Sequence, residues 1–310
     1  MFCGITPVRS KTLDRGSIFI IIALASLAVA ISGLLSTDEF TGNAAVESPD
    51  VNSGSGVVSL APCITGTLQS IGAESAISMI SDYCPQIAGV ARGGTALAPD
   101  LERIVRSGCR ILLVRSAAGL PRDQLARVGE TIELPWSSVE QVVASIRAIG
   151  AVVHRESSAN QLADRFEKLL ADPVVAEDAP RVLLVIGSDL DASGGPWVIK
   201  PNSIHGAVLK AAGFRNAIEQ AMSGTPQISY ERLLAIDPDI ILHLNGGRGA
   251  PADQSLLDHY QKLSGLKAVI GGAVGEVSGP RILDEGPELL DLVRAIRAEV
   301  TRLAAGGAQW

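Results

Sequence analysis

The stretch that organises this chain is residues 157–170, Ser157-Ser-Ala-Asn-Gln-Leu-Ala-Asp-Arg-Phe-Glu-Lys-Leu-Leu170. Its apolar side chains recur at intervals of three and four residues, which predicts one amphipathic helix. They are Ala159, Leu162, Ala163, Phe166, Leu169 and Leu170. Ser158 with Gln161 is interpreted as a capping box at the start of this helix, and Asp172-Pro173 is expected to end it.

Related segments lie on both sides of this helix. Before it, Pro99-Asp-Leu-Glu102-Arg precedes the apolar run Ile111–Val114. After it, Ile228-Ser-Tyr-Glu231-Arg precedes the strand-like segment Ile240-Ile-Leu-His-Leu244. In both segments Glu-Arg is expected on a short helix, and the strand begins nine residues after the glutamate. The central helix is therefore predicted to join two related α/β lobes.

Within each lobe, predicted strands alternate with predicted helices, which indicates a parallel sheet covered on both faces. The first lobe is expected to span residues 57–153, the connecting helix 154–178 and the second lobe 179–305. Strands are predicted at 57–60, 76–80, 110–114, 131–134, 181–186, 240–244 and 275–278, with helices at 256–263 and 287–303 among others. Residues 61–65 are expected to form a turn, followed by a helix that Thr65 or Thr67 caps.

The N-terminal region has a different character. Residues 17–35 carry no charge and approach the length of about 20 residues that crosses a bilayer. Basic residues precede this segment and acidic ones follow it, so residues 1–16 are expected in the cytoplasm and the remainder outside. The segment is interpreted as either an uncleaved transmembrane anchor or a cleaved signal peptide. Residues 36–56, rich in small and polar side chains, are expected to form a flexible linker.

Charge and motifs exclude several functions. The net charge of −7 argues against nucleic-acid binding. No P-loop, dinucleotide fingerprint, nucleophile elbow or H-E-x-x-H motif is present. The four histidines lack metal-ligand spacing, so no catalytic residue, metal ligand or covalently bound cofactor is assigned. Cys63 and Cys84 follow neighbouring predicted strands, and a disulfide between them stays open.

Ligands of parallel α/β lobes collect beyond the carboxyl ends of the strands. The loops expected there are 61–66, 81–99, 187–202, 245–253 and 279–286. Their side chains suited to gripping a bulky ligand predict a ligand-binding set of Pro62, Cys63, Tyr83, Trp197, His205 and Arg281. Of these, His205 lies one turn into a helix that follows the loop.

Five short motifs, in order, resemble one known family. They are Val57-Val-Ser-Leu-Ala-Pro62, Ser81-Asp-Tyr-Cys-Pro85, Pro99-Asp-Leu-Glu-Arg-Ile104, Ile228-Ser-Tyr-Glu-Arg-Leu233 and Gly279-Pro-Arg281. They resemble the substrate-binding proteins of ABC importers for cobalamin and iron–siderophore complexes. The resemblance implies two α/β lobes held by one rigid helix, with the ligand between them. The chain has Gly93-Gly-Thr-Ala-Leu-Ala98 where cobalamin-binding members carry bulky aromatic residues, so the ligand stays open.

The resemblance also gives Glu102 and Glu231 a role, namely docking on the outer surface of each lobe to arginines of a permease dimer. The function it implies is capture of a metal chelate, either a corrinoid or a ferric siderophore or haem, by a tethered monomer outside the cytoplasm. The chelate would be delivered to an ABC transporter permease. One alternative is a membrane-tethered sensor or scaffold with the same fold. The other is a chelatase-like enzyme, for which His205 with Cys63 or Cys84 is the candidate set.

Overall fold

The computed structural model describes residues 56–171, 173–187, 195–246, 260 and 263–310 of the chain. The predicted cytoplasmic residues 1–16, the membrane segment 17–35 and the linker up to residue 55 lie outside the described residues. So do part of the loop 187–202 and most of the predicted helix 256–263. In the part that is described, no helix combines the length and the apolar character needed to cross a membrane.

The first lobe is built on a five-stranded parallel sheet with the order β3-β2-β1-β4-β5. Its strands are β1 Val57–Ser59, β2 Ile77–Ile80, β3 Ala91–Arg92, β4 Ile111–Arg115 and β5 Glu130–Leu134. Its helices are α1 Pro62–Ser70, α2 Leu101–Arg106, α3 Arg122–Val128 and α4 Val139–Val152, with a 3-10 turn at Glu74–Ala76. Successive residues of β4 enter different buried clusters, Leu112 and Val114 on one face and Leu113 on the other. Burial on both faces explains why residues 111–114 of β4 form a continuous apolar run.

The second lobe is built on a four-stranded parallel sheet with the order β7-β6-β8-β9. Its strands are β6 Arg181–Ile186, β7 Arg215–Asn216, β8 Ile240–Asn245 and β9 Val274–Ser278. Its helices include α6 Ile204–Ala211, α7 Tyr230–Ile236, α8 Lys267–Ile270 and α9 Leu289–Ala305. Two parallel sheets, each with its own helices, confirm the predicted α/β architecture.

Helix α5, Glu156–Leu170, leads from the first lobe to the second. The predicted apolar face is confirmed, because all its members except the half-buried Leu169 are buried. Helix α5 packs along α4, and a methyl group added at Gly150 of α4 would lie only 2.2 Å from the Cβ of Ala159. The two helices therefore approach closely where glycine faces alanine.

Two predicted helix starts are wrong. Helix α5 begins at Glu156 with Arg155 at its N-cap, so Ser158 lies inside the helix and forms no capping box. The carbonyl of Arg155 already accepts the N–H of Ala159 at 2.9 Å, which starts the helical hydrogen bonds earlier. The predicted turn at 61–65 is instead the first turn of α1, which begins with Pro62. Proline is favoured at that position because its missing N–H has no helical partner to lose.

Candidate ligand-binding cleft

A cleft of about 570 Å³ opens where the carboxyl ends of both sheets meet. Its wall from the first lobe includes Pro62 and Cys63 after β1, Arg115 at the end of β4 and Trp136 just beyond β5. Its wall from the second lobe includes Ile186 at the end of β6, Lys200, His205 of α6 and Glu285. The volume falls within the range of roughly 300–1,000 Å³ of small-molecule sites. The position agrees with the expectation for parallel sheets.

One loop of the second lobe crosses to the first. We call residues 279–288, between β9 and α9, the crossing loop. The carbonyl of Glu285 accepts a hydrogen bond of 2.5 Å from the indole Nε1 of Trp136. The Glu285 carboxylate forms an ion pair with Arg115. The crossing loop thus joins the second lobe to the ends of β4 and β5 at the cleft.

His205 is buried beside this ion pair. Helix α6 starts with Ser203 at its N-cap, whose Oγ accepts the N–H of Gly206 at 3.0 Å. The Nε2 of His205 is 3.3 Å from the carbonyl of Ile282, and its Nδ1 is 3.8 Å from Oε1 of Glu285. Burial lowers the pKa of His205, while the Glu285 carboxylate opposes that shift. The neutral imidazole is therefore favoured near neutral pH.

The three cysteines among the described residues are free and buried. Burial raises the pKa of the Cys63 thiol to about 12, although Arg115 acts in the opposite direction. Burial also raises the pKa of the Cys84 thiol, which lies 3.1 Å from the Oγ1 of Thr65. Cys63, Cys84 and Cys109 form no disulfide in this structure. Cys63 lines the cleft as a neutral thiol, because a thiol with so high a pKa stays protonated.

Pro62, Cys63 and His205 of the predicted ligand-binding set come together at the cleft, whereas Tyr83 and Trp197 do not line it. Tyr83 is 75% exposed, on a loop that the Arg92 guanidinium holds by hydrogen bonds to the carbonyls of Ser81, Asp82 and Cys84. Trp197 is 42% exposed. Its neighbour Val198 pairs with β6 and is fully buried, and alternation along an extended segment turns Trp197 outward.

Arg281 also lies away from the cleft lining, and its contacts explain why. Its Nη2 is 2.6 Å from Oε1 of Glu288, and its Nε is 3.2 Å from Oδ2 of Asp284. Its Nη1 donates to Oε1 of Gln69 on α1 at 3.4 Å. A Cβ at Gly66 would lie 2.2 Å from the guanidinium, so glycine is what lets Arg281 lie against α1. In this structure Arg281 fastens the crossing loop to α1, and its ligand contact stays a prediction.

Glu102 and Glu231 occupy equivalent places in the two lobes. Each is the second residue of its helix, α2 or α7, and each strand that follows begins nine residues later. The helices are capped alike, by Asp100 and Ser229, whose side chains accept the N–H of the residue after each glutamate. Both glutamates are exposed, Glu102 in a 2.7 Å ion pair with Arg106. A hydrogen bond from Ser229 lowers the pKa of Glu231.

Sequence reasoning missed the charged and aromatic centre of the cleft. Arg115 is the last residue of β4, but the predicted strand ended at Val114, so its side chain was not assigned to the cleft. Trp136, two residues beyond the predicted strand 131–134, and Lys200, within the predicted loop 187–202, are not in the predicted ligand-binding set. Glu285 lies in a loop that was expected at the cleft, where only Arg281 was chosen. Among the described residues, no group of three histidine, cysteine, aspartate or glutamate side chains is arranged to hold a metal ion.

Solved structures with the same fold bind different ligands. A haem-binding protein of Pseudomonas aeruginosa has 22% identity and a TM-score of 0.62, covering 79% of this chain and 91% of its own. The siderophore-binding protein FhuD of Vibrio cholerae, bound to Fe³⁺-Desferal, has 18% identity and a TM-score of 0.63, covering 81% and 99%. The vitamin B12-binding protein BtuF of Vibrio cholerae has 16% identity and a TM-score of 0.60, covering 81% and 98%. At these identities the likeness shows a shared fold.

The family assignment rests on the sequence itself. The family model described as periplasmic binding protein matches residues 57–277, from β1 to the penultimate residue of β9. This range contains both sheets and the helix that connects them. The chain therefore belongs to the periplasmic binding protein family.

Proposed function

We propose that this protein captures a metal chelate in the cleft outside the cytoplasm and delivers it to an ABC transporter permease. The observation that carries the proposal is the cleft between the carboxyl ends of two parallel sheets, with walls from both lobes. Membership of the periplasmic binding protein family supports it. The haem, ferric siderophore and vitamin B12 ligands of structures with the same fold indicate the ligand class.

The side chains of the cleft favour a metal that arrives with its coordination sphere already filled. The Nε2 of His205 is 3.3 Å from the Ile282 carbonyl and its Nδ1 is 3.8 Å from Oε1 of Glu285, so both ring nitrogens already have polar groups of the protein beside them. The thiol of Cys63 has its pKa raised to about 12 and stays protonated. We therefore infer that the ligand is a chelate whose own atoms hold the metal. The same two observations disfavour the enzyme alternative, because they leave no activated nucleophile there.

Docking to the permease is assigned to Glu102 and Glu231. Two exposed carboxylates at equivalent helix positions suit a partner that presents the same basic surface twice, as a two-fold symmetric dimer does. The Glu102–Arg106 ion pair is solvent-exposed and therefore easily exchanged for an arginine of the partner. Residues 17–35 are proposed to tether the protein to the membrane, or to be removed as a signal peptide. The binding protein itself is proposed to act as a monomer.

Ligand binding tests the proposal directly. The full chain would be titrated with ferric desferrioxamine, iron protoporphyrin and cyanocobalamin while tryptophan fluorescence is followed. Trp136 lines the cleft, so a bound, light-absorbing chelate should quench its emission, and Trp136→Phe should remove that part of the signal. Thermal shifts in the presence of the same chelates give a second readout. If none of these chelates binds, the proposed ligand class is wrong.

A separate measurement tests delivery. Glu102→Lys together with Glu231→Lys should abolish stimulation of the permease ATPase while chelate affinity is unchanged. Glu140→Lys is a matched control, because Glu140 is also an exposed glutamate in the first turn of a serine-capped helix. Normal stimulation by the doubly reversed variant would leave a sensor or scaffold as the better function.

A further inference from the structure

The charges of the cleft are unevenly matched. Glu285 pairs with Arg115, and Asp284 pairs with Arg281 outside the cleft lining. Lys200 lines the cleft as well, and no carboxylate among the described residues lies within ion-pair distance of it. The described lining of the cleft thus holds two cationic side chains and two carboxylates, and Lys200 is the cation among them without a carboxylate within ion-pair distance, so it can attract an anionic group on a ligand.

The ion pair between Arg115 and Glu285 can be replaced by an ion pair between Arg115 and another carboxylate. The Oε2 of Glu285 is buried and forms the ion pair with Arg115, but it accepts no hydrogen bond from the described residues. A bidentate arginine–carboxylate pair would be stronger, because two parallel hydrogen bonds add to the charge attraction. The exposed Arg122–Glu133 pair of the same lobe has that form, with hydrogen bonds of 2.5 and 2.8 Å. Arg115 thus keeps hydrogen-bonding capacity that Glu285 does not use.

The Glu285 carboxylate also has a second polar side chain beside it. Its other oxygen, Oε1, is 3.8 Å from the Nδ1 of His205. Its backbone is fixed independently, because the Glu285 carbonyl accepts from Trp136. A change of side-chain rotamer can therefore free Arg115 without moving the crossing loop.

We propose that Glu285 occupies Arg115 in place of a ligand carboxylate, and that the protein selects metal chelates bearing a free carboxylate, which displaces Glu285 from Arg115. This rests on the proposed function and narrows its ligand class. Arg115 is then the residue that recognises the ligand, Lys200 adds attraction, and Glu285 is a built-in competitor. A carboxylate-free chelate cannot make the exchange and binds through apolar contacts alone.

If Glu285 competes with the ligand carboxylate for Arg115, its removal has a different effect from the removal of a residue that only contacts the ligand. The apparent affinity of a ligand is reduced by the fraction of protein whose binding group is already occupied. Removing the competitor should therefore tighten binding, whereas removing a residue that contacts the ligand should weaken it. Arg115→Gln and Glu285→Gln should act in opposite directions, although they break the same ion pair.

The experiment uses two matched probes with the full chain. These are the bis-cyanide complexes of iron protoporphyrin and of its dimethyl ester, which have the same ring, metal and filled axial positions and differ in the two carboxylates. Binding would be measured by tryptophan quenching, with ferric desferrioxamine as a carboxylate-free chelate of another shape. Glu133→Gln is the matched control variant, since it removes a carboxylate from an arginine outside the cleft. Thermal unfolding of each unliganded variant checks that it is folded.

We expect wild type to bind the free acid about tenfold more tightly than the ester, as one charge-assisted contact allows. Arg115→Gln should abolish this preference, Glu285→Gln should increase it several-fold, and Glu133→Gln should leave it unchanged. Equal binding of acid and ester by wild type, or weakening of acid binding by Glu285→Gln, overturns the proposal. In either case, binding of any probe leaves the proposed function standing. If no probe binds, the proposed function fails and this proposal fails with it.

Discussion

Replacing Gly150 by alanine should force α4 and α5 apart. The added Cβ would lie 2.2 Å from the Cβ of Ala159 and 3.2 Å from the carbonyl oxygen of Arg155. Carbon atoms in unstrained contact are about 3.5–4.0 Å apart, so the helices must separate by roughly 1.5 Å or distort. The contact lies on the helix that connects the lobes, so it tests how tightly that connection is packed.

The expected magnitude is a balance of two effects. Overpacking a buried contact costs about 1–3 kcal/mol, and the better helix propensity of alanine returns about 1 kcal/mol. Gly150→Ala should therefore lower the free energy of unfolding by about 1 kcal/mol. Adding Ala159→Gly removes the opposing methyl group. The helix propensity that alanine adds to α4 is then lost from α5, where glycine replaces alanine. The double variant should return close to wild-type stability, with an interaction energy of at least about 1 kcal/mol.

Urea unfolding followed by circular dichroism measures this double-mutant cycle. Gly265→Ala is the control, because a Cβ there would meet nothing within 4 Å. The close contact is contradicted if Gly150→Ala stabilises the protein and the effects of the two substitutions on the free energy of unfolding simply add. That result would mean that α4 and α5 do not touch at this point.

Three further predictions concern single residues. Phe166→Ala should cost about 3–5 kcal/mol in urea unfolding, since Phe166 is completely buried on α5, whereas Val174→Ala, at a side chain that is 98% exposed, should be near neutral. Trp136→Phe keeps an aromatic ring but leaves the Glu285 carbonyl without its donor, so it should lower the free energy of unfolding by about 1–2 kcal/mol. An unchanged free energy of unfolding would contradict the hydrogen bond between the Trp136 indole and the Glu285 carbonyl. Burial raises the pKa of the Cys63 thiol from about 9 in the unfolded chain to about 12 in the folded protein. The unfolded chain therefore loses this proton first, and the free energy of unfolding should fall as pH rises between these values. Cys63→Ala should flatten that dependence, and an unchanged pH profile would contradict the buried environment of the thiol.

Much of the fold follows from residue patterns of single segments. The run at Ile111 is apolar through Val114 and the run at Ile240 is apolar except for His243, a pattern typical of a short strand buried on both faces. Ser138 and Ser203 cap α4 and α6, because a serine hydroxyl directly before an apolar helical pattern accepts an N–H of the first turn. The start of α5 was wrong because polar residues before Ser158 extend the helix without any apolar signal.

The cleft was harder to predict than the sheets around it. Pro62, Cys63 and His205 lie at the cleft, since position after a strand or in the first turn of a helix fixes them, and their contact with a ligand stays a prediction. Tyr83 and Trp197 were chosen by residue type, but the direction of a loop side chain depends on long-range contacts such as those of Arg92. The Arg115–Glu285 pair joins residues 170 positions apart, and one sequence carries no signal for such a pairing.

The two sheets are each drawn from one uninterrupted stretch of chain. All strands of the first sheet precede residue 135, and none of the second begins before residue 181. A nascent chain can therefore complete the N-terminal half while the other half is still being made, as domains commonly do during synthesis. The crossing loop is among the last segments to emerge, so a site able to hold cargo comes into existence only at the end of synthesis.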